Sequence, residues 1–375
     1  MQRGRHGWCP SRPLRISAAW VTSEAVRCTI LGGLPWMLLG YSLAPVPEWI
    51  GPARWGGVLL VSGWVALANG AWAMGRAAGL AFGLVALVSL RASAPGAFVP
   101  SGEPSLQVRI VHTGHPTPRR PASDATANVI GRLAELSQGA DVDLIVWPEN
   151  AVPAVMPANI ARIRALRNEV AGDAAVLFGA THIPAGQRPR LFTSAVLLPS
   201  EGEPRMYDKR IRIPFFEYAP WPLPSRERGS GISVGSSPRI LTVGGIRLAP
   251  LICYEALFSE HARHGALDGA DLLVHLSNEA WFGATRGADQ LLAAAVFRAV
   301  ETGRPILRST NAGVSGLVHP DGRIARRREG AAGSFDVELR AVAGTPLALR
   351  IGNGWWWLAA LAAILGFVAE RRRPT

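Results

Sequence analysis

Apolar residues follow two rhythms along this chain. Toward both ends they run almost without interruption, and through the middle they alternate with polar ones. The stretch "GGVLLVSGWVALANGAWAMG" (residues 56–75) carries no charge and is long enough, as a helix, to cross a hydrocarbon core of roughly 30 Å. "AAGLAFGLVALVSL" (77–90) is shorter and spans if its flanks are included. "IGNGWWWLAALAAILGFVAE" (351–370) opens on three tryptophans, which favour the membrane interface, and is closed by Arg371, Arg372 and Arg373. An earlier segment, 14–41, predicts a spanning helix followed by a shallow, proline-broken arm; a helix lying on the interface is the other reading. Glu24 and Arg27 stand three apart there, a spacing that lets them pair and face protein rather than lipid.

The middle of the chain reads differently. "QVRIVH", "DLIVW", "AAVLFGA", "TSAVLL", "IRLAPLIC", "DLLVHLS" and "GLVH" predict strands, while "DATANVIGRLAELSQ", "ANIARIRALRNEVAG" and "ADQLLAAAVFRAVETG" predict amphipathic helices. Such alternation argues for a layered α/β domain with buried sheets. Catalytic groups in such folds gather beyond the carboxyl ends of strands, so those ends are where chemistry is sought.

Charge adds an orientation. Arg3, Arg5, Arg12 and Arg15 near the start, Arg76 in the turn after the second apolar run and the arginine triplet at the end all belong on the cytoplasmic side. The chain then divides into a membrane segment of about three spans (1–94), a catalytic domain on the outer side (95–350) and a C-terminal span with a basic tail (351–375). A cleavable signal peptide fits poorly, because no early apolar core ends in a small-residue cleavage site. The net charge of +12 suits an anionic membrane surface, and the outer placement makes nucleic acid an unexpected partner. Cys9, Cys28 and Cys253 are too few and too scattered for a disulfide framework or a zinc ribbon. His261 and His264 ("HARH") have no evident third ligand, so neither metal nor cofactor is expected.

Three strand ends or loops stand out. "DLIVWPEN" leaves Glu149 at a proline-stopped strand tip, "YDKRIRIPFFEYAPW" carries Lys209 and Glu217 eight residues apart, and "IRLAPLICYEALF" ends its apolar run in Cys253. Helix-like sequence directly after Cys253 predicts a thiol whose pKa is lowered by a helix N-terminus. A nucleophile, a carboxylate base and an ammonium together make an acyl-transfer kit. Singly, each has a plain structural reading as a surface charge or a small buried hydrophobe.

In their order, these motifs resemble the carbon–nitrogen hydrolase (nitrilase) superfamily and, within it, the apolipoprotein N-acyltransferases. The resemblance rests on "WPEN", "KRIRIPFFEYAP" (209–220), "ICYE" (252–255), "SNEAWFG" (277–283), "RPILRSTNAG" (304–313) and the "LGGLPWMLLGYS" arm (31–42). It implies a nitrilase-like α-β-β-α sandwich with N-terminal transmembrane helices and one C-terminal transmembrane helix. It also implies Glu149 as general base, Lys209 as oxyanion stabiliser and Cys253 as nucleophile. Glu217 and Glu255 become supporting residues, and Tyr254, Trp281 and Phe282 substrate-binding ones. Glu279, Ala312 and Thr193 depart from the family pattern of Asp, Asn and Asn, and the family usually has a longer N-terminal membrane bundle.

The activity so implied moves a fatty acyl group from a phospholipid, through a Cys253 thioester, to the N-terminal amine of a lipoprotein. The setting would be a bacterial inner membrane, with the catalytic domain on the periplasmic side. Two other readings stand beside it. One is a membrane-tethered amidase in which water resolves the thioester; the other is a shortened, conjugal-transfer-associated paralogue with little or no catalysis.

Overall fold

The computed structural model describes residues 11–73, scattered positions from 75 to 88, and 100–371 apart from 115–122, 140, 153–154, 157–159, 171, 185–189, 221–230, 238 and 343. In chain order the strands are β1 (Pro100–His112), β2 (Leu144–Val146), β3 (Val155–Met156), β4 (Ala175–His182), β5 (Phe192–Leu198), β6 (Arg205–Asp208), β7 (Leu241–Val243), β8 (Ile246–Ile252), β9 (Leu272–Ser277), β10 (Ile306–Thr310), β11 (Val314–Val318), β12 (Ile324–Glu329) and β13 (Gly333–Val342). The helices are α1 (Ser11–Arg27), α2 (Ala53–Trp72), α3 (Ser123–Ser137), α4 (Ile160–Val170), α5 (Ser259–Leu267), α6 (Gly287–Thr302), α7 (Leu347–Ile351) and α8 (Trp356–Arg371).

The strands form two sheets. One runs β13-β1-β2-β4-β5-β6, with β3 paired to β4, and the other β12-β11-β10-β9-β8-β7. Inside each sheet three neighbours are parallel, β1-β2-β4 and β8-β9-β10, and antiparallel strands flank them. Alternate residues of the two sheets meet in a shared core, with Val108, Ile110, Leu144 and Val146 against Leu248, Ile252, Val274 and Leu276. The opposite faces are covered by helices. Ile130 and Leu133 of α3 and Ile163 and Leu166 of α4 close the first sheet, while Leu291, Ala294 and Phe297 of α6 close the second. This is an α-β-β-α sandwich, and the predicted strands and helices of the middle section are present in it.

Polar or charged composition hid the rest. "ILRST" is β10, fully buried although it carries Arg308; "IARRRE" is β12, an edge strand whose Arg326 and Arg327 stand in solvent. The segment after Cys253 differs from expectation too, for it is a five-residue 3-10 turn, Cys253–Leu257, before α5 begins at Ser259.

The N-terminal segment is bound into this frame. After α1 the chain descends through 3-10 turns at Ile30–Gly32, Leu39–Leu43 and Pro47–Trp49 into α2. Glu24 and Arg27 do not pair. Glu24 Oε1 accepts the Trp20 indole N–H at 3.1 Å and the Leu39 N–H at 2.7 Å, and Arg27 donates to the Trp36 carbonyl, because the arm folds back and offers both side chains its unpaired backbone groups. Among the described residues no helix is long and apolar enough to cross a membrane. α2 has 20 residues but is broken at Gly56 and Gly57, and α8 has 16. The expected 77–90 run lies largely outside the described residues.

One buried ion pair fastens α2 to the sandwich. Glu301 accepts the Val58 N–H and the Arg298 guanidinium, both at 2.8 Å, and Arg298 also donates to the Leu257 carbonyl at 2.7 Å. Glu301→Ala strands a buried guanidinium and an N–H together, which is expected to cost about 3–5 kcal/mol. A cooperative melt of the detergent-solubilised protein, compared with Glu301→Gln, measures it; an unchanged melting temperature would contradict this role.

Candidate active site

Glu149, Lys209 and Cys253 arrive from three strand ends. Lys209 directly follows β6 and Cys253 directly follows β8, while Glu149 lies three residues beyond β2, after Trp147 and Pro148. All three are buried, with Lys209 at 0% exposure, and so are Glu217 and Glu255. The Lys209 ammonium donates to Glu217 Oε1 at 2.7 Å, and Glu217 Oε2 accepts the Ile213 N–H at 2.8 Å, which makes the loop after Lys209 clasp its own carboxylate. Glu149 Oε2 accepts the Asn278 N–H at 2.8 Å, and its carboxylate interacts electrostatically with both Cys253 and Lys209.

Electrostatics follows from this burial. Desolvation raises the Glu149 pKa, against the pull of Lys209 and the Asn278 amide. Burial opposes the Lys209 ammonium, yet the negative charge of Cys253 when it ionises and those of Glu149 and Glu217 outweigh it and hold the lysine above its usual value. The thiol behaves contrary to the sequence expectation. Its pKa is raised, first by burial and then by the Glu149 charge, with Lys209 opposing. A five-residue turn supplies too little dipole to reverse that. Cys253 is therefore a thiol at rest, and any reaction at its sulfur requires a base to take the proton.

Glu255 joins the two halves of the site. Its Oε1 accepts the Arg210 N–H at 2.7 Å, the Ile211 N–H at 3.1 Å and the Tyr207 hydroxyl at 2.9 Å, while Oε2 accepts the Ile252 N–H at 2.8 Å. One carboxylate so ties the chain beside Lys209 to the chain beside Cys253. Burial works to raise its pKa, but His261, 3.5 Å away, and these amides hold it below the usual carboxylate value.

The predicted substrate-binding residues divide. Trp281 is 48% exposed and meets the edge of Phe216, itself 52% exposed, at 5.4 Å, forming an open aromatic rim with the neighbouring Phe215. Phe282 is half-buried, packed on Trp36 at 5.6 Å. Tyr254 is in the wall rather than on the rim, since it is buried and its hydroxyl donates to the Gly33 carbonyl at 3.0 Å. The arm needs glycine there: at Gly32 (φ +90°) a Cβ would lie 2.2 Å from the Tyr218 hydroxyl.

Other contributors had no role assigned from sequence. Gly179 of β4 leaves the space that the Glu149 backbone occupies, for a Cβ there would sit 2.5 Å from the Glu149 Cα. Asn311 donates to the Asn278 side-chain oxygen at 2.6 Å and accepts the Glu279 N–H at 2.9 Å, holding the segment that caps Glu149. Glu279 forms a fully buried ion pair with Arg308. Asn278, Asn311 and Arg308 stand inside quoted motifs, but only the fold reveals that they meet.

Comparison with known proteins agrees with the architecture. Residues 108–334 match the carbon-nitrogen hydrolase family model, and residues 1–71 match that of the apolipoprotein N-acyltransferase N-terminal domain. The apolipoprotein N-acyltransferase of Agrobacterium fabrum is 30% identical over 383 residues, covering 94% of this chain and 72% of that protein. That of Azotobacter vinelandii is 33% identical, covering 96% and 73%. The Allorhizobium ampelinum protein is 31% identical, and this chain spans 63% of its length. Among solved structures, Saccharomyces cerevisiae Nit3, a branch 10 member of the nitrilase superfamily, is alike in fold, with a TM-score of 0.50 at 15% identity over 66% of this chain and 93% of that one. The chain belongs to the carbon–nitrogen hydrolase superfamily, in its apolipoprotein N-acyltransferase family.

Proposed function

We propose that this protein is a membrane-bound N-acyltransferase that carries a fatty acyl group from a phospholipid to the N-terminal amine of a lipoprotein. The observation that carries this reading is the buried meeting of the Cys253 thiol, the Glu149 carboxylate and the Lys209 ammonium in a chain of this family. Glu149 takes the thiol proton as the sulfur attacks the ester carbonyl, and the new oxyanion is held by Lys209. Collapse breaks the ester C–O bond; the departing lysophospholipid oxygen recovers the proton from Glu149, leaving a thioester. The lipoprotein amine then attacks, gives a proton to Glu149, and expels the Cys253 thiolate, which is reprotonated as the amide forms. Glu217 orients the ammonium and Glu255 keeps the two strand ends in register.

Apolar surface favours a lipid donor over a small soluble amide. Phe215 and Phe216, which directly precede Glu217, are exposed with Trp281, and so are Ile30, Leu31, Leu34 and Met37 of the arm. Along α8, Trp357, Leu361, Ile364, Leu365 and Val368 present one continuous apolar row to the outside, as a helix in contact with lipid does. Both termini then lie on the cytoplasmic side of a bacterial inner membrane, with residues 95–350 as a periplasmic catalytic domain between membrane segments 1–94 and 351–375. In the amidase reading water replaces the amine, and in the non-catalytic reading Cys253 is dispensable.

Two outcomes are expected. Intact mass spectrometry of the detergent-purified protein incubated with phospholipid should show a gain of one fatty acyl mass, labile to hydroxylamine and absent in Cys253→Ala; no adduct on the wild type would sink this reading. The pH dependence of thioester formation should be a single rising limb. Glu149 serves as base only when ionised, and because burial raises its pKa the rate should be lost as pH falls through a midpoint above 4.5. Lys209, held above its usual value, keeps its proton, so no descending limb is expected up to about pH 9. Glu149→Gln should slow the step by about 10²–10⁴-fold and abolish that limb.

A further inference from the structure

Cys253 has φ +51°, a conformation that a residue with a side chain holds only where its surroundings over-determine it. Two buried groups do so here. On its N-terminal side the Ile252 N–H is fixed by Glu255. On its C-terminal side the Cys253 carbonyl accepts a hydrogen bond from His275 Nε2 at 3.1 Å.

His275 is fully buried in β9. It shares the face of Leu273, which packs with the helix layer, whereas Val274 and Leu276 face the other sheet. Arg308 donates to His275 Nδ1 at 2.8 Å, so Nδ1 is the acceptor and Nε2 carries the hydrogen given to Cys253. Arg308 is itself held, by the Val314 carbonyl at 2.8 Å and by its ion pair with Glu279. Burial and the Arg308 charge keep the imidazole neutral at physiological pH. The ring thus has one tautomer and one orientation.

We propose that His275, oriented by Arg308 and Glu279, is a positioning residue that clamps the Cys253–Tyr254 peptide so that the Tyr254 N–H is presented to the oxyanion. A trans peptide holds its C=O and N–H on opposite sides. With the carbonyl tied to His275 on the helix-layer side, the Tyr254 N–H is directed away from that layer. The sheet whose strand ends carry Glu149 and Lys209 lies in that direction. An N–H in the first residues of a helical turn has no partner within the turn, which leaves this one available. The inference rests on the acyl-transfer reading above, and what it adds is that the aim of this backbone donor depends on a histidine outside the triad.

The test compares two reactions of Cys253. Thioester formation from p-nitrophenyl butyrate passes through an oxyanion, whereas alkylation by iodoacetamide, read at Cys253 by peptide mass mapping, needs the thiolate and no oxyanion. His275→Leu should slow acylation by one to two orders of magnitude, somewhat less than the ~10²–10³-fold loss of an entire oxyanion donor, and leave alkylation unchanged. His275→Gln, which can still donate and accept, should recover most of the acylation rate. Should His275→Leu fail to accumulate folded, Glu279→Gln, which loosens the Arg308 anchor, carries the test with a several-fold loss of acylation, while alkylation, relieved of a charge that raises the Cys253 pKa, is unchanged or faster. Parallel losses in both reactions, or unchanged acylation, would overturn the proposal. A wild type that reacts with the ester but not with phospholipid would count against the lipid donor alone, and one silent toward both would overturn both readings.

Discussion

A lysine with no exposure to water is the constraint around which this catalytic domain is arranged. An ammonium removed from solvent persists only with opposite charge in contact, and Glu217 supplies that at 2.7 Å while Glu149 adds a second negative group nearby. Those carboxylates bring their own demands. Glu217 is met by the Ile213 amide and Glu149 by the Asn278 amide, so the backbone on both sides must sit where these hydrogen bonds can form. The sandwich answers by delivering parallel strand ends from both sheets to one place. Charge balance and topology are two descriptions of one arrangement here.

The same economy of polar groups explains how the two sheets stay in register at the site. Glu255 collects N–H groups from both strand ends, and Asn278 and Asn311 bridge the tip of β9 to the tip of β10. None of these side chains is free to move without leaving a buried donor or acceptor unmet. Rigidity of this kind is what a reaction with a raised-pKa thiol requires. The Cys253 thiol and the Glu149 carboxylate each feel the other's charge in this fixed frame.

Much of this was legible in the sequence because the signals were strong and local. β-branched runs ending in Glu149 and Cys253 gave strands with chemistry at their tips, and the 3.6 period of α6 is plain in "ADQLLAAAVFRAV". What escaped was non-local. Arg308 makes β10 look like surface, because its ion pair with Glu279 and its contact with His275 come from other elements. The thiol's environment escaped for a similar reason. A helix N-terminus could be inferred from residues 254–258, but the burial and the Glu149 charge that dominate come from a strand a hundred residues earlier. Glu24 and Arg27 were misread as partners because helical spacing says who can meet, while the returning arm decides who does.

The two glycines of the arm carry a final consequence. Gly32 lies flat against Tyr218, in the loop that begins at Lys209, and the Gly33 carbonyl receives the hydroxyl of Tyr254, the residue after Cys253. Residues far upstream of the sandwich therefore form masonry of the reaction chamber. The N-terminal segment and the loops of the site so share a wall. Exchanging the N-terminal segment for an unrelated anchor would leave the enzyme at the membrane with that wall missing.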